Sequence, residues 1–479
     1  MGGDPQQLFD FGRRTAAAQQ SIALVRQFAA HTAFRSAMVE ELELDEDFHR
    51  RPLRPEDLSF IDFTTPVVTE SAFRLPFLAA QRLLLCANEL EMARPPRDGS
   101  SAAFEKYLNF HSEENRTLAA QIKPFLEDFA FDFLCGEDAA VPSVESCVAQ
   151  LAVLLQTEMA FWGDVFDHLV STRYVEGGLG YILIQKQSLA GSKRVAFGKA
   201  GAMGYFDHLS PQDWPKLAQD ETDQQIVRRL AELCGIAKGE HSYWQFYLST
   251  SLAECNLLHA LAARPGAALA LSGAAFAAEA TWLAFRGLIA QAGPCLRITN
   301  RDDLAGRRSD AANELLARFA RVLGRIEHQY GLPGLRLVRQ GLTAASALAG
   351  HARRNLEEQL NWLASVESYR DIARQISARI EVERPDIDRE TFVEPREMCS
   401  TTHVHDDHRL VVIETGNMVF WGNVGMKLRL APGEMVLVPE GRLHGSSIES
   451  DECVYHQPII PDEWVRPLVR DRATASAAA

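Results

Sequence analysis

The sequence lacks paired cysteines, a leader-like N-terminus and any long uninterrupted apolar run. Its eight cysteines are scattered over 479 residues and none forms a Cys-x2-Cys pair, which argues against a structural zinc site. Scattered cysteines of this kind are typical of reduced thiols in a cytoplasmic protein. The most apolar run, 266–280, contains Glu279, so we interpret it as a buried core helix rather than a membrane span. We therefore expect no signal peptide, no membrane partner and a cytoplasmic location.

Positive charge is also in short supply. Lys and Arg number 49 against 64 Asp and Glu, which gives a net charge of -15. This balance argues against nucleic acid or an anionic membrane as a partner, although it is compatible with a cationic small substrate. The glycine-rich segment 177–180 is followed by neither a Walker lysine nor a strand–helix pattern, so we interpret it as a turn and not as a phosphate-binding loop.

The most informative stretch of the chain is 399–460. It opens with His403 and His405, whose side chains point to the same face if this segment is a strand. About forty residues later His444 follows a turn that contains Pro439 and Gly441. Three neutral imidazoles that leave coordination positions open suit Fe(II), Zn, Cu or Ni. The spacing therefore predicts a metal site made of His403, His405 and His444.

These two blocks resemble the two motifs of the cupin family. The glycines and the proline around them fall in register with those motifs: Gly416, Gly433, Pro439 and Gly441. Two usual residues are missing, because Arg409 stands in place of the first-motif carboxylate and Ile448 in place of the second-motif Asn. The resemblance implies a small antiparallel barrel with a three-histidine site and no fourth protein ligand. The alternative is a barrel that has lost its metal and kept its histidines.

Other segments resemble the N-nitrosourea-forming iron enzymes of the streptozotocin pathway. They are 49–55, 80–84, 241–248, 394–396, 443–445 and 448–455. That resemblance implies a multidomain, mostly α chain with a haem-oxygenase-like helical domain, followed by an all-β cupin barrel. It divides the chain into a helical dimerisation domain at 1–138, the haem-oxygenase-like domain at 139–385, the cupin at 386–465 and a disordered tail at 466–479. It also implies a homodimer. Within the second domain, we expect the Gly-rich segment 177–204 to be a loop or hairpin insertion.

The family's helical domain binds two irons through Glu, His and Asp side chains, and most of these are replaced here. The His-x3-Asp-x2-His block of the last helix falls on Gly306, Asp310 and Asn313. The Glu and His of the second helix fall on Asp213 and Asp223, and Glu158 is the candidate for the first helix. We therefore expect that the di-iron centre has been lost. The alternative is an altered centre built from four carboxylates: Glu158, Asp213, Asp223 and Asp310.

The resemblance implies an iron-dependent oxidoreductase of natural-product biosynthesis. We expect Fe(II) in the cupin and O2 as co-substrate, acting on an N-hydroxylated amino-acid or guanidine compound to form or rearrange an N–N or N–O bond. Arg409 is predicted to face inward and to favour an anionic group, and Arg396 and Tyr455 are further candidates for lining the pocket. The alternatives are a bifunctional N-oxygenase with an altered di-iron site, and a non-catalytic cupin scaffold.

Overall fold

The computed structural model describes residues 7–34, 57–91, 100–135, 141–187, 189–215, 221–236, 244–295, 302–396, 399–423 and 426–477. Its helices precede its strands along the chain: α1–α12 come first, and β1–β9 and a last helix, α13, follow. The fold class predicted from the sequence is thus confirmed, a mostly helical part followed by a strand-rich barrel. The predicted boundary at 138 lies outside the described residues, and the one at 385 falls in the segment between α12 and β1.

The first helical region packs around an aromatic core. Its helices are α1 (Ala18–Ala29), α2 (Leu75–Glu89), α3 (Ser101–Phe110) and α4 (Glu113–Phe131). Ser100 and Ser112 cap α3 and α4 by accepting hydrogen bonds from backbone N–H groups of the first turn. Helix α4 packs against α1 and α2. Helix α2 is buried on almost every face because α9 of the next region covers its other side.

The second helical region is a bundle around three long helices. Its elements are α5 (Val144–Ser171), α6 (Val175–Gln187), α7 (Ala190–Ala202), α8 (Glu221–Leu233), α9 (Ser249–Ala263), α10 (Ala268–Cys295), α11 (Asp302–Ala364) and α12 (Val366–Glu383). Helices α5, α10 and α11 pack on one another. Among the described residues, Ala268–Ala292 is long and apolar enough to cross a membrane, but 67% of its most apolar window is buried in the protein. Core helices of soluble proteins have the same property.

Helices α10 and α11 approach each other most closely at two glycines. A Cβ on Gly341 would lie 2.6 Å from the carbonyl carbon of Ala270, and one on Gly273 would lie 2.9 Å from the amide nitrogen of Leu342. Apolar atoms normally pack 3.5–4.0 Å apart. Only glycine therefore allows these two backbones to meet at this distance. Further along, α11 bends at Gly331, whose φ is +60°.

The described residues of the Gly-rich segment 177–204 are mostly helical, contrary to the prediction of a loop or hairpin. It forms α6 and α7, and the side chains from Leu179 to Ile184 are buried. Glycine weakens a helix by about 1 kcal/mol relative to alanine, but burial of this apolar run outweighs that cost. Gly178 is also needed for packing, because a Cβ at this position would overlap the side chain of Leu169.

The barrel consists of two curled antiparallel sheets. The first has the order β1 (Thr391–Pro395), β8 (Glu452–His456), β3 (His408–Thr415) and β6 (Met435–Val438), and β9 (Ile459–Ile460) pairs with β3. The second has the order β2 (Cys399–His403), β7 (His444–Ile448), β4 (Met418–Asn423) and β5 (Met426–Leu430). Helix α12 packs on β6, so the barrel is joined to the helical part by contacts as well as by the chain.

The C-terminal segment corrects another expectation. The sequence predicted a disordered tail at 466–479, whereas α13 extends from Asp462 to Ala477. Two acidic residues in its first turn, Asp462 and Glu463, favour the helix by interacting with the helix dipole. The alanines near its end have the highest intrinsic helix propensity of any residue.

Candidate metal centre

The three histidines predicted from the sequence lie together at one end of the second sheet. His403 ends β2 and His444 begins β7, and the two are directly opposite each other in the antiparallel register. His405 lies two residues beyond the end of β2, where its carbonyl accepts a hydrogen bond from Gly441 N–H at 2.9 Å. Gly441 has φ +74°, so the turn before His444 uses a conformation that favours glycine. The strand on which the same-face argument depends ends before His405, yet the side chains of His403 and His405 still meet in one cluster.

The three imidazoles form a compact cluster. One ligand nitrogen from each ring lies within 4.8 Å of the others. Among the described residues, these three histidines are close enough together to hold a metal ion. The ring centroid of His403 is 4.8 Å from that of His405 and 4.5 Å from that of His444, and the centroids of His405 and His444 are 5.0 Å apart. Rings this close can direct three nitrogens at a single ion.

Hydrogen bonding leaves the inward nitrogens available as ligands. His444 Nδ1 is 2.8 Å from the Arg442 carbonyl oxygen, to which it donates, so Nε2 carries the lone pair. The Nε2 atoms of His405 and His444 are both buried and have no hydrogen-bond partner within the described parts of the chain. Buried polar atoms without a partner are unusual and call for an explanation such as an ion. The residues present therefore fit a metal ion, and Arg442 orients one ligand as outer partners of metal sites do.

The electrostatic environment keeps two of the three rings neutral, those of His405 and His444. Burial lowers the pKa of His405 well below its ordinary value, and His403, His444 and Arg409 lower it further. Burial and His403 likewise lower the pKa of His444, although its hydrogen bond to Arg442 opposes this. A neutral imidazole is the form that binds metals, so these rings are ready as ligands at neutral pH.

An aromatic wall covers one side of the cluster. Phe420 on β4 stacks on His444, with centroids 5.0 Å apart and planes at 17°. Trp362 of α11 packs edge-on against Phe420 at 6.1 Å. The helical part of the chain therefore contributes to the apolar surroundings of the histidines.

Arg409 has acidic partners. Its guanidinium forms ion pairs with Asp407 and Glu390 and donates a hydrogen bond to the Gln457 carbonyl at 3.3 Å. Two carboxylates outweigh one guanidinium, so this corner does not present a net positive charge. The prediction that Arg409 favours an anionic group on the substrate therefore has no support in these contacts, although Arg409 does lie close enough to influence His405.

The structure does not bring Arg396 or Tyr455 into the histidine cluster. Arg396 is exposed and bonds the Glu449 carbonyl and Asp451 at the end of β1. Tyr455 on β8 is buried and stacks on the ring of Phe392, its partner on the neighbouring strand β1 of the first sheet. Packing within the first sheet accounts for Tyr455, and a surface ion pair with Asp451 accounts for Arg396.

Two of the four carboxylates considered for a second centre are paired with arginines. Buried Glu158 forms an ion pair with Arg353, and buried Asp213 pairs with Arg321 and Arg325. Asp310 is exposed on α11. Asp223 belongs to α8, but its side chain lies outside the described residues. These contacts do not fit a di-iron centre.

Other buried carboxylates of the helical bundle are balanced in the same way. Glu254 pairs with Lys186 at 2.9 Å and with Lys193 at 3.2 Å. Burial alone would raise the pKa of Glu254, but the two lysines outweigh it and lower the pKa to about 2. Glu279 pairs with Arg318. Side-chain cations thus neutralise carboxylates inside the helical part.

Sequence reasoning missed three side chains that touch the histidine-bearing segments. They are Arg82, Gln245 and Gln359, all from the helical part and all buried. The resemblance singled out 80–84 and 241–248, which contain Arg82 and Gln245, but no local pattern reveals these contacts, because each reaches the barrel across a long separation in sequence.

A curated protein is similar to this chain over most of its length. The nitrosourea synthase of Streptomyces achromogenes subsp. streptozoticus is 25% identical over 438 residues, and the alignment covers 85% of this chain and 88% of that protein. No protein-family model matches the chain. The similarity is therefore one between whole chains rather than between single domains.

Proposed function

We propose that this chain, which is related to nitrosourea synthase at the level of the family, is a cupin metalloenzyme of natural-product biosynthesis. The relationship confirms the resemblance found in the sequence and supports an enzyme of N-nitroso type. The proposed reaction forms or oxidatively rearranges an N–N or N–O bond, with Fe(II) at His403, His405 and His444 and O2 as co-substrate. The observation that carries the proposal is the pair of buried, unpartnered Nε2 atoms of His405 and His444.

The surrounding residues prepare this site for redox chemistry. Fe(II) held by three histidines would supply one-electron chemistry with O2 and polarise a substrate heteroatom. The Arg442 carbonyl holds His444 in the tautomer that exposes Nε2. Phe420 and Trp362 exclude water from one side of His444. Since the three ligands are neutral, they leave the positive charge of the ion uncompensated and available to an electron-rich N–O group.

The proposed substrate is an amino-acid or guanidine compound that another enzyme has already N-hydroxylated. This choice is based on two carboxylates of the helical part. Glu158 forms an ion pair with Arg353, and Asp213 forms ion pairs with two arginines. A helical part without a di-iron centre would not perform the first hydroxylations itself. We further propose a cytoplasmic homodimer that associates through residues 1–138, and sedimentation velocity tests its stoichiometry.

Iron stoichiometry tests the proposal directly. Protein loaded anaerobically with Fe(II) is expected to hold about one iron per chain, because three imidazoles form a site for one ion. His444→Ala is expected to lose it. His456→Ala is the matched control, since His456 lies in the same barrel but pairs with Thr391 and Glu414. About three irons per chain, with two retained in His444→Ala, would restore the di-iron alternative.

Substrate-dependent O2 consumption separates an enzyme from a scaffold. Fe(II)-loaded protein is expected to consume O2 when an Nω-hydroxylated arginine derivative is added, and mass spectrometry should then detect a product with a new N–N or N–O arrangement. The unhydroxylated parent compound serves as the control and is expected to remain unchanged. Iron binding without O2 consumption for any N-hydroxylated guanidine would favour the non-catalytic scaffold.

A further inference from the structure

We propose that the helical part of the chain positions the metal-binding histidines through Arg82, Gln245 and Gln359. These side chains bond the backbone of Thr402 and Leu443, the residues that directly precede His403 and His444. The inference rests on the proposed function, because it concerns the same metal site. It assigns to the helical part a role in setting the metal affinity of the barrel.

Thr402 is bonded on both sides of its backbone by the helical part. Its N–H donates to Gln245 Oε1 at 3.1 Å, and its carbonyl accepts from Arg82 Nη1 at 2.6 Å. Its hydroxyl accepts from Arg82 Nη2 at 2.9 Å and donates to the Gln245 carbonyl. Arg82 belongs to α2, and Gln245 lies in a short turn, Trp244–Phe246, before α9. All three residues are at most 1% exposed.

Leu443 is bonded in the same way by one residue. Its N–H donates to Gln359 Oε1 at 3.0 Å, and its carbonyl accepts from Gln359 Nε2 at 2.9 Å. Gln359 belongs to α11 and is fully buried. The neighbouring Arg442, whose carbonyl orients His444, forms an ion pair with Glu358 of the same helix.

The barrel alone leaves these two positions without support. The register of β2 on β7 is interrupted between Ser400 and His403, and Thr402 lies in that interruption. Leu443 comes before the first residue of β7 and so lies outside its ladder. Buried backbone groups need partners, and the helical part provides them at the residues next to two ligands. The backbone that carries His403 and His444 is therefore held from outside the barrel.

Metal affinity should depend on these contacts. Three ligands bind an ion tightly when they are held near their bound positions in advance, since ordering them otherwise costs affinity. Arg82, Gln245 and Gln359 are positioning residues, because they act on the histidines through the backbone and do not touch the ion. Loss of an outer partner of a metal ligand typically weakens metal binding about 10–100-fold.

Co(II) affinity and the Co(II) visible spectrum provide the test. The variants are Gln359→Leu and Arg82→Met, and affinity is measured by competition with a chromophoric chelator on the full-length protein. Asn423→Leu is the matched control, because Asn423 also bonds across the interface, to Tyr174 and to the Gly177 carbonyl, but adjoins no histidine of the cluster. We expect both variants to bind Co(II) about 10–100-fold more weakly than wild type and to show altered d–d bands. The control should keep both properties, even if its thermal stability falls equally.

Three outcomes separate the possible failures. Unchanged affinity and spectrum in folded Gln359→Leu and Arg82→Met would overturn the inference and leave the proposed function standing. His444→Ala is expected to bind no Co(II). If wild-type protein binds none either, the proposed function itself is overturned. If Gln359→Leu does not fold, Gln245→Met carries the same expectation, because it removes the two hydrogen bonds that Gln245 Oε1 accepts from the N–H and the hydroxyl of Thr402.

Discussion

Replacing Gly341 by alanine would force apart the two helices that form the centre of the bundle. The added Cβ would lie 2.6 Å from the Ala270 carbonyl carbon, about 1 Å closer than normal packing allows. Because the opposing atoms belong to the backbone, no side-chain rotation can relieve the overlap. Overpacking of this kind costs about 1–3 kcal/mol or more. The better helix propensity of alanine returns about 1 kcal/mol. Because the overlap is with the backbone, the cost should lie at the upper end of that range, and we expect a net loss of about 2 kcal/mol.

Urea unfolding followed by the helical circular dichroism signal measures this loss. Gly324→Ala is the matched control, since Gly324 lies on the same helix and a Cβ there would have no neighbour within 4 Å among the described residues. We expect the control to be as stable as wild type or more stable by up to about 1 kcal/mol. If Gly341→Ala unfolds at the wild-type urea concentration, the close contact between α10 and α11 is not as described.

Two further predictions concern buried ionisable groups of the helical part. Burial lowers the pKa of His259 to about 4, so the unfolded chain takes up its proton near pH 6.5 while the folded protein does not. The free energy of unfolding should therefore fall between pH 6.5 and 4, by up to about 3 kcal/mol. Thermal unfolding measures this profile, and His259→Gln should flatten that part of it. A profile that His259→Gln leaves unchanged would contradict this prediction. Glu254→Gln leaves Lys186 and Lys193 without their carboxylate and should lower the free energy of unfolding by about 3–5 kcal/mol. A decrease no greater than that for an exposed ion pair would show that the charges are hydrated.

The sequence predicted the histidine cluster because its information is local. His403 and His405 are two residues apart, and the turn before His444 needs a glycine at a fixed position, which Gly441 supplies. Such features appear in the spacing itself. The cupin-like motifs within 399–460 are local in the same way, and they identified the strand-rich part of the chain.

What the sequence did not reveal depends on contacts between distant residues. Thr402 and Arg82 are 320 positions apart, and Glu158 and Arg353 are 195 apart. The residue pattern within a single helix or strand does not predict such pairs. The segment 177–204 was wrongly interpreted for a related reason, since its glycines are typical of loops until burial against α5 is known. Burial is a property of the folded chain, and it can outweigh local propensity.

The lysines and arginines beside Glu158, Glu254 and Glu279 have a consequence for how the protein matures. A carboxylate whose charge is balanced by a bound metal ion remains unpaired until the metal binds, and it can lose the metal to a chelator. A carboxylate balanced by a side chain of the same polypeptide is complete as soon as the chain has folded. The contacts of these three carboxylates can thus form without a bound ion, and a chelator should leave them intact.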